Sequence, residues 1–186
     1  MRVTACPLLL VLSLGQCVKA QSLYSPTAQK ITLRDAHIPA QVRDEICAVA
    51  MKAFDYPDVG VVRKIVLDSS VSYLKLARDG SSAILVEADG PDALGATGNG
   101  PIWIFKRVGN HAILLLDGFH SMFAVNHVFH YGMRDFQTFM KAGGSNGFNE
   151  VYEFDGIRYR PMYCYKSTQE DNGNWKDGPP QPCPDS

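Results

Sequence analysis

Hydrophobic positions follow two different periods along this chain. Over residues 39–54 the apolar side chains recur at helical spacing, with Val42 and Ile46 on one face, and a proline at the start suits a first helical turn. This pattern predicts an N-terminal helix over about 39–54, ended by the turn-forming stretch 56–60. From Val61 onward, short apolar runs with period two predict β-strands.

Turn dipeptides divide the strand region into hairpins. The predicted tight turns are Asp79-Gly80 between 71–78 and 81–88, Gly109-Asn110 between 102–108 and 111–116, and Asp155-Gly156 between 149–154 and 157–163. In the last hairpin a two-residue turn sets Phe154 opposite Ile157, Glu153 opposite Arg158 and Tyr152 opposite Tyr159. Further strands are expected at 65–67, 123–129 and 136–140.

The middle hairpin indicates how the layers stack. Residues 102–105 and 113–116 are apolar on both strand faces, which is typical of strands covered on both sides. The expected fold class is α+β: an antiparallel β-meander sheet, or a sandwich or barrel, packed against one N-terminal helix.

The first twenty residues have the pattern of a secretory signal peptide. A positive start precedes an apolar stretch over 8–14, and small residues precede the expected cleavage after Ala20. The stretch is too short to span a bilayer, so we expect an exported protein, periplasmic or secreted, without stable membrane insertion. Residues 21–166 then form one β-rich domain, followed by a proline-rich tail over 167–186.

The net charge argues against one class of partner, and the cysteines predict one disulfide. A net charge of −1 and the absence of a basic cluster argue against nucleic acid as a partner. Three of the five cysteines follow the signal, so at least one stays free or pairs outside the chain. We expect a disulfide between Cys164 and Cys183, which bracket the tail, because burial in the helix accounts for Cys47.

The region from Trp103 to Cys164 contains three recognisable steps: a tryptophan-bearing hairpin, Gly-x-x-Asp-aromatic over 132–136, and Tyr-x-Phe-Asp-Gly-x-x-Tyr over 152–159. The region resembles uncharacterised exported bacterial β-rich proteins. The step at 132–136 is also similar to the end of an FG-GAP repeat, but the Asp-x-Asp-Gly-Asp calcium loop is absent. The resemblance therefore implies an exported β-hairpin domain, with no activity and no calcium site attached to it.

Histidines and acids supply the candidate catalytic groups. His120 or His127 is a candidate general base, with Asp117 or Asp135 to orient it. The pattern places His127 on an apolar strand face with Phe123, where the alternative is a core-edge histidine bonded to a backbone carbonyl. No nucleophile motif accompanies either histidine.

A metal site is not expected from these histidines. His127 and His130 are three residues apart on a predicted strand, so their side chains should point to opposite faces. No cofactor motif is present either.

The last hairpin and the middle one offer a recognition surface. Arg158, Arg160, Tyr159 and Trp103 are the candidate binding residues, since arginine and large aromatic side chains are enriched at interfaces. The alternative is that the tyrosines pack inward and the arginines form a solvated face.

Two functions remain from the residues alone. The pattern favours a non-catalytic binding module that recognises an envelope or extracellular protein, peptide or glycan, in the manner of an inhibitor or immunity factor. The alternative is a small secreted hydrolase that uses His120 or His127 with Asp117 or Asp135.

Overall fold

A computed structural model describes residues 31–54 and 57–183 of the chain. The helices within these residues are α1 (Ala40–Ala50), extended by a 3-10 turn over Met51–Ala53, and α2 (Val59–Asp68). The strands are β1 (Ile31–Thr32), β2 (Ser70–Leu74), β3 (Ala83–Glu87), β4 (Gly100–Val108), β5 (His111–His120), β6 (Met122–His130), β7 (Met133–Gly143), β8 (Asn146–Phe154), β9 (Tyr159–Gln169) and β10 (Trp175–Asp177). Neither helix has the length and apolar character needed to cross a membrane. The expected signal peptide lies outside the described residues.

The strands form two antiparallel five-stranded sheets. The first sheet has the order β1-β2-β3-β4-β5 and the second has the order β10-β9-β8-β7-β6. The helices cover one face of the first sheet, and the second sheet covers the other. Alternation along β3 shows these layers, since Ile84 and Val86 join the helix-side core while Leu85 joins the core between the sheets. The expected α+β class, with sheets packed against an N-terminal helix, is confirmed.

The middle hairpin, β4 and β5, belongs to the first sheet, which is the middle layer between the helices and the second sheet. Trp103 and Phe105 of β4 pack toward the helices, and Ile102 and Ile104 pack toward the second sheet. The predicted two-sided cover of this strand is therefore confirmed. The helix-side core also holds Cys47 of α1, a buried free thiol, as the helical pattern predicted.

Helix α2 replaces a turn and a strand that the sequence pattern predicted. The stretch 56–60 was expected to end the first helix and 65–67 to be a strand, but the second helix begins at Val59. The carboxylate of Asp58 caps this helix by accepting hydrogen bonds from the backbone N–H groups of Gly60 and Val61, at 2.7 and 3.2 Å. The helix buries Val62 and Val66, one turn apart. The short apolar run thus belonged to a helix face.

The first two predicted turns have different outcomes. At Gly109-Asn110 the ladder closes with Val108 opposite His111, so this hairpin is confirmed. Near Asp79-Gly80 the β2–β3 ladder already ends at Leu74 opposite Ala83, and the predicted register is wrong. The intervening segment leaves the first sheet because it contacts the second, where the Arg78 N–H donates to the Gly132 carbonyl at 2.8 Å.

The last hairpin is present with a different register. Phe154 faces Tyr159 and not Ile157, and Glu153 faces Arg160 and not Arg158. The reason is the side chain of Asp155, whose Oδ1 accepts from the N–H groups of residues 157 and 158, both at 2.8 Å. This capped turn makes the loop four residues long.

The proline-rich tail folds back along β9. The predicted disulfide between Cys164 and Cys183 is present, with a Cα–Cα distance of 4.9 Å. The tail also adds β10, which pairs with residues 167–169 of β9. The strands expected at 123–129 and 136–140 are confirmed as parts of β6 and β7.

Candidate binding cleft between the sheets

A cleft of about 410 Å³ opens between the edge of the first sheet and strands β8 and β9 of the second. This volume lies in the range of protein ligand sites. Its wall residues are Leu114, Leu115, Leu116 and Asp117 of β5, Glu150 and Tyr152 of β8, Arg158 from the turn, Tyr159, Arg160 and Pro161 of β9, and Cys183. We refer to this feature as the inter-sheet cleft.

The inter-sheet cleft lies between two strand edges. Among the described residues, β5 is the last strand of the first sheet and pairs with β4 alone. On β9, the pairs with β10 and with Gln181 cover residues 164–169, while residues 159–163 have no neighbouring strand on that side within the described part of the chain. Both walls therefore contribute strand backbone with one side open.

An acid and a phenol form the polar part of the cleft. The buried Tyr152 hydroxyl donates a short hydrogen bond to the Glu150 carboxylate. Burial raises the pKa of Tyr152 far above its ordinary value, and the hydrogen bond to Glu150 raises that pKa further, as does the charge of Asp117. Tyr152 consequently remains a neutral donor that orients Glu150.

The two arginines of the last hairpin differ in their contacts. The Arg160 guanidinium donates to the Asp155 carboxylate, with Nε and Oδ2 2.9 Å apart. The pKa of Asp155 falls to about 2, first because the Arg158 N–H donates to it and then because of Arg160. The Arg158 side chain is exposed and has no hydrogen bond or ion pair among the described residues. The predicted contact between Arg158 and Glu153 does not form.

The disulfide supports one wall of the cleft. Cys164 lies opposite Glu150 in the β8–β9 ladder, and its partner Cys183 is itself a wall residue. The Gln181 N–H donates to the Cys164 carbonyl at 2.9 Å, which attaches the tail beside the bridge. The covalent link thus fixes the position of the tail against the polar part of the cleft.

Trp103 and Tyr159, the other two predicted binding residues, are both buried, but only Tyr159 reaches the cleft. Trp103 is 1% exposed within the helix-side core, so its assignment to a binding surface is corrected. Tyr159 lines the cleft but is mostly buried, and its hydroxyl donates to the Arg134 carbonyl at 2.7 Å. Burial raises the pKa of Tyr159 above its ordinary value.

The predicted catalytic pairs do not form. His120 is 5% exposed, neither ring nitrogen has a hydrogen-bond partner among the described residues, and burial lowers its pKa to about 4. His127 is exposed, and its Nδ1 lies 3.2 Å from the Arg134 guanidinium. The placement of His127 on an apolar strand face was wrong because the pairing register shifts between Val125 and Phe129.

The candidate acids belong to two different places. Asp117 lines the inter-sheet cleft. Asp135 is buried and bonds to His130, with Oδ1 and Nδ1 2.7 Å apart. That hydrogen bond raises the pKa of His130. The sequence analysis considered His130 only together with His127 and missed its grouping with Asp135 and Glu153, although the tight turn after His130 was a usable signal.

Comparison with known proteins adds no relative. No protein-family model, no curated protein and no solved structure matches this chain.

Proposed function

We propose that this protein is an exported, non-catalytic binding module that recognises an extended peptide segment of an envelope or extracellular protein. The segment enters the inter-sheet cleft. One observation carries the proposal: the cleft lies between two strand edges that each have a side without a neighbouring strand in the part of the chain that the structure describes. An extended peptide recognises such edges through its main chain, by adding a strand to a sheet.

A contact within the chain supports this use of the β5 edge. The N–H of Ala112 donates to the Glu45 carboxylate of α1 at 2.7 Å. Because β4 occupies the other side of β5, this N–H points out of the sheet edge. The edge amide thus takes an oxygen acceptor from outside the sheet, as it would take a peptide carbonyl.

Side-chain chemistry supplies selectivity in the proposed mode. The wall residues combine apolar leucines with the carboxylates of Asp117 and Glu150 and the cation of Arg158. Arg158 is exposed and has no ion-pair partner among the described residues, so it is available to a carboxylate of the peptide. The favoured segment is apolar with an acidic residue at the Arg158 end.

The hydrolase alternative receives no support from the contacts of its proposed residues. Within the described chain, His120 has no hydrogen-bonded acid, and His127 neighbours a guanidinium. A general base needs an orienting partner within hydrogen-bond reach. The binding mode needs none of these contacts.

The test is selection from a displayed library of unstructured peptides, using the oxidised chain from Gln21 to Ser186 as bait. We expect enrichment of extended apolar sequences that carry an acidic residue. Arg158→Glu should weaken the affinity of a selected peptide by about tenfold or more, because a favourable contact becomes repulsive. Affinity is measured by isothermal calorimetry.

Lys166→Glu is the matched control. Lys166 is also an exposed cation of the last hairpin, but it lies outside the cleft walls, so this charge reversal should leave affinity within about twofold. Equal losses in both variants would show general charge attraction and would contradict recognition in the cleft. Enrichment of no peptide, with binding on a glycan array, would replace the peptide by a glycan.

A further inference from the structure

A second cluster of chemically active side chains lies outside the inter-sheet cleft. His130 at the end of β6, Asp135 of β7 and Glu153 of β8 each offer one ligand atom, and these atoms lie within 4.8 Å of one another. The three strands are neighbours in the second sheet, so the backbone positions are fixed by ladder hydrogen bonds. None of the three residues lines the cleft.

The local turn explains how His130 reaches the acids. Tyr131 and Gly132 both have positive φ, at 47° and 82°, which forms the two-residue turn that sets His130 opposite Met133. Asp135 follows two residues later on β7. Glu153 lies beside it on β8, because Phe136 is opposite Tyr152 in the β7–β8 ladder.

Charge balance makes this cluster unusual. Two carboxylates on adjacent strands repel each other, and the Asp135 side chain is only 7% exposed. The ion pairs recorded for both acids within the described residues involve His130 alone, at 2.7 Å to Asp135 and 3.8 Å to Glu153. One imidazole is therefore the ion-pair partner of two carboxylates, and a divalent cation would neutralise the charges of both.

We propose that His130, Asp135 and Glu153 bind a divalent first-row transition metal ion of the Zn²⁺ class. One imidazole nitrogen with two carboxylate oxygens is a donor set that suits such ions, whereas Mg²⁺ and Ca²⁺ prefer oxygen alone. Around a tetrahedral ion with bonds of about 2.0–2.1 Å, the ligand atoms are about 3.3–3.4 Å apart. The ligand atoms lie within 4.8 Å of one another, but Asp135 approaches Nδ1 of His130 and Glu153 approaches Nε2, so side-chain rotation must bring both carboxylates to one nitrogen.

Exposure indicates which ligands adjust and where water enters. Asp135 is held by burial, while the side chains of His130 and Glu153 are 38% and 27% exposed and have room to turn. The ion would enter from this exposed side and displace the hydrogen bond between His130 and Asp135. The remaining coordination position faces solvent and takes a water molecule.

The experiment is competition for Zn²⁺ against a chromophoric chelator, using the oxidised chain from Gln21 to Ser186 at neutral pH. We expect one equivalent of Zn²⁺ per chain. His130→Ala and Glu153→Gln should each weaken the affinity at least tenfold, with folding checked by far-UV circular dichroism. Co²⁺ substitution should give the visible absorption of a low-coordinate nitrogen and oxygen site.

His127→Ala is the matched control, since His127 lies on the same strand and is exposed beside Arg134. This variant should bind Zn²⁺ as the unmodified chain does. No binding of Zn²⁺ by the unmodified chain would overturn the proposal. The cluster would then be held together only by the hydrogen bond and ion pairs of His130. Loss of binding in His127→Ala with retention in His130→Ala would place the ion elsewhere and refute this site equally.

Discussion

His120 should make the stability of this protein fall in mild acid. The ring lies in the layer between the sheets, stacked on Phe123 with centroids 5.7 Å apart, and neither nitrogen has a hydrogen-bond partner among the described residues. Burial lowers the pKa of His120 from 6.5 to about 4 in the folded chain. The unfolded chain therefore binds a proton at a pH where the folded chain does not.

The sign and the size follow from this difference in pKa. The contribution of His120 to stability is complete above pH 6.5 and is lost as the pH falls toward 4, because protonation then favours the unfolded state. One pKa unit corresponds to about 1.4 kcal/mol, so the loss between pH 7 and pH 4 is about 3 kcal/mol.

The assay is urea unfolding at a series of pH values, with the disulfide kept intact. His120→Leu removes the titrating group while keeping an apolar side chain in the core, so its free energy of unfolding should fall by about 3 kcal/mol less than that of the unmodified chain over this range. His127→Leu, which removes an exposed histidine, serves as the control and should keep the steep dependence. Carboxylate titrations are common to all three proteins and cancel in the comparison. Parallel curves for His120→Leu and the unmodified chain would refute the assignment of this acid sensitivity to His120.

Two further predictions concern the tail and a close contact. Replacing both Cys164 and Cys183 with serine should cost about 3 kcal/mol in the free energy of unfolding, from the loop entropy of 19 residues, as measured by urea unfolding; an unchanged midpoint would contradict it. Gly147→Ala should cost about 1–3 kcal/mol, because a Cβ there would lie 2.5 Å from the Phe139 ring. Gly90→Ala, where a Cβ meets nothing within 4 Å, should leave the thermal midpoint nearly unchanged, and equal effects of the two substitutions would argue against the steric reasoning.

The features that the sequence predicted correctly are those set by short-range chemistry. The two-residue turn at Gly109-Asn110 determines the register of its hairpin. The apolar residues on both strand faces around Trp103 correctly predicted that both faces are covered. Cys164 and Cys183 could be paired because they bracket a segment with little core of its own.

The errors arose where a single side chain changed the backbone path. Asp58 caps the start of α2, whose short apolar run fits a strand as well as a helix. Asp155 lengthens the last turn because its carboxylate accepts hydrogen bonds from two backbone N–H groups. Period-two reading also failed within β6, where the register shift removed His127 from the expected face. Such effects depend on contacts that periodicity does not contain.

The candidate sites were only partly accessible from the sequence. Asp117, Arg158 and Tyr159 were selected for separate reasons, and the fold brings all three to one cleft. The partnership of β5 with β9 could not be inferred, because these edges approach through sheet stacking and not through a hairpin. The bond between Asp135 and His130 was likewise hidden by the predicted strand geometry.

The buried thiol of Cys47 links the order of folding to correct oxidation. Until α1 packs on the first sheet, the thiols of all three cysteines in the described residues are accessible, and two of their three possible pairings are wrong. Once the helix docks, Cys47 is enclosed and burial raises its pKa, so little thiolate remains to attack a disulfide. Early helix docking should therefore keep Cys47 out of disulfide exchange, and we expect substitutions that delay docking to increase the share of mispaired chains.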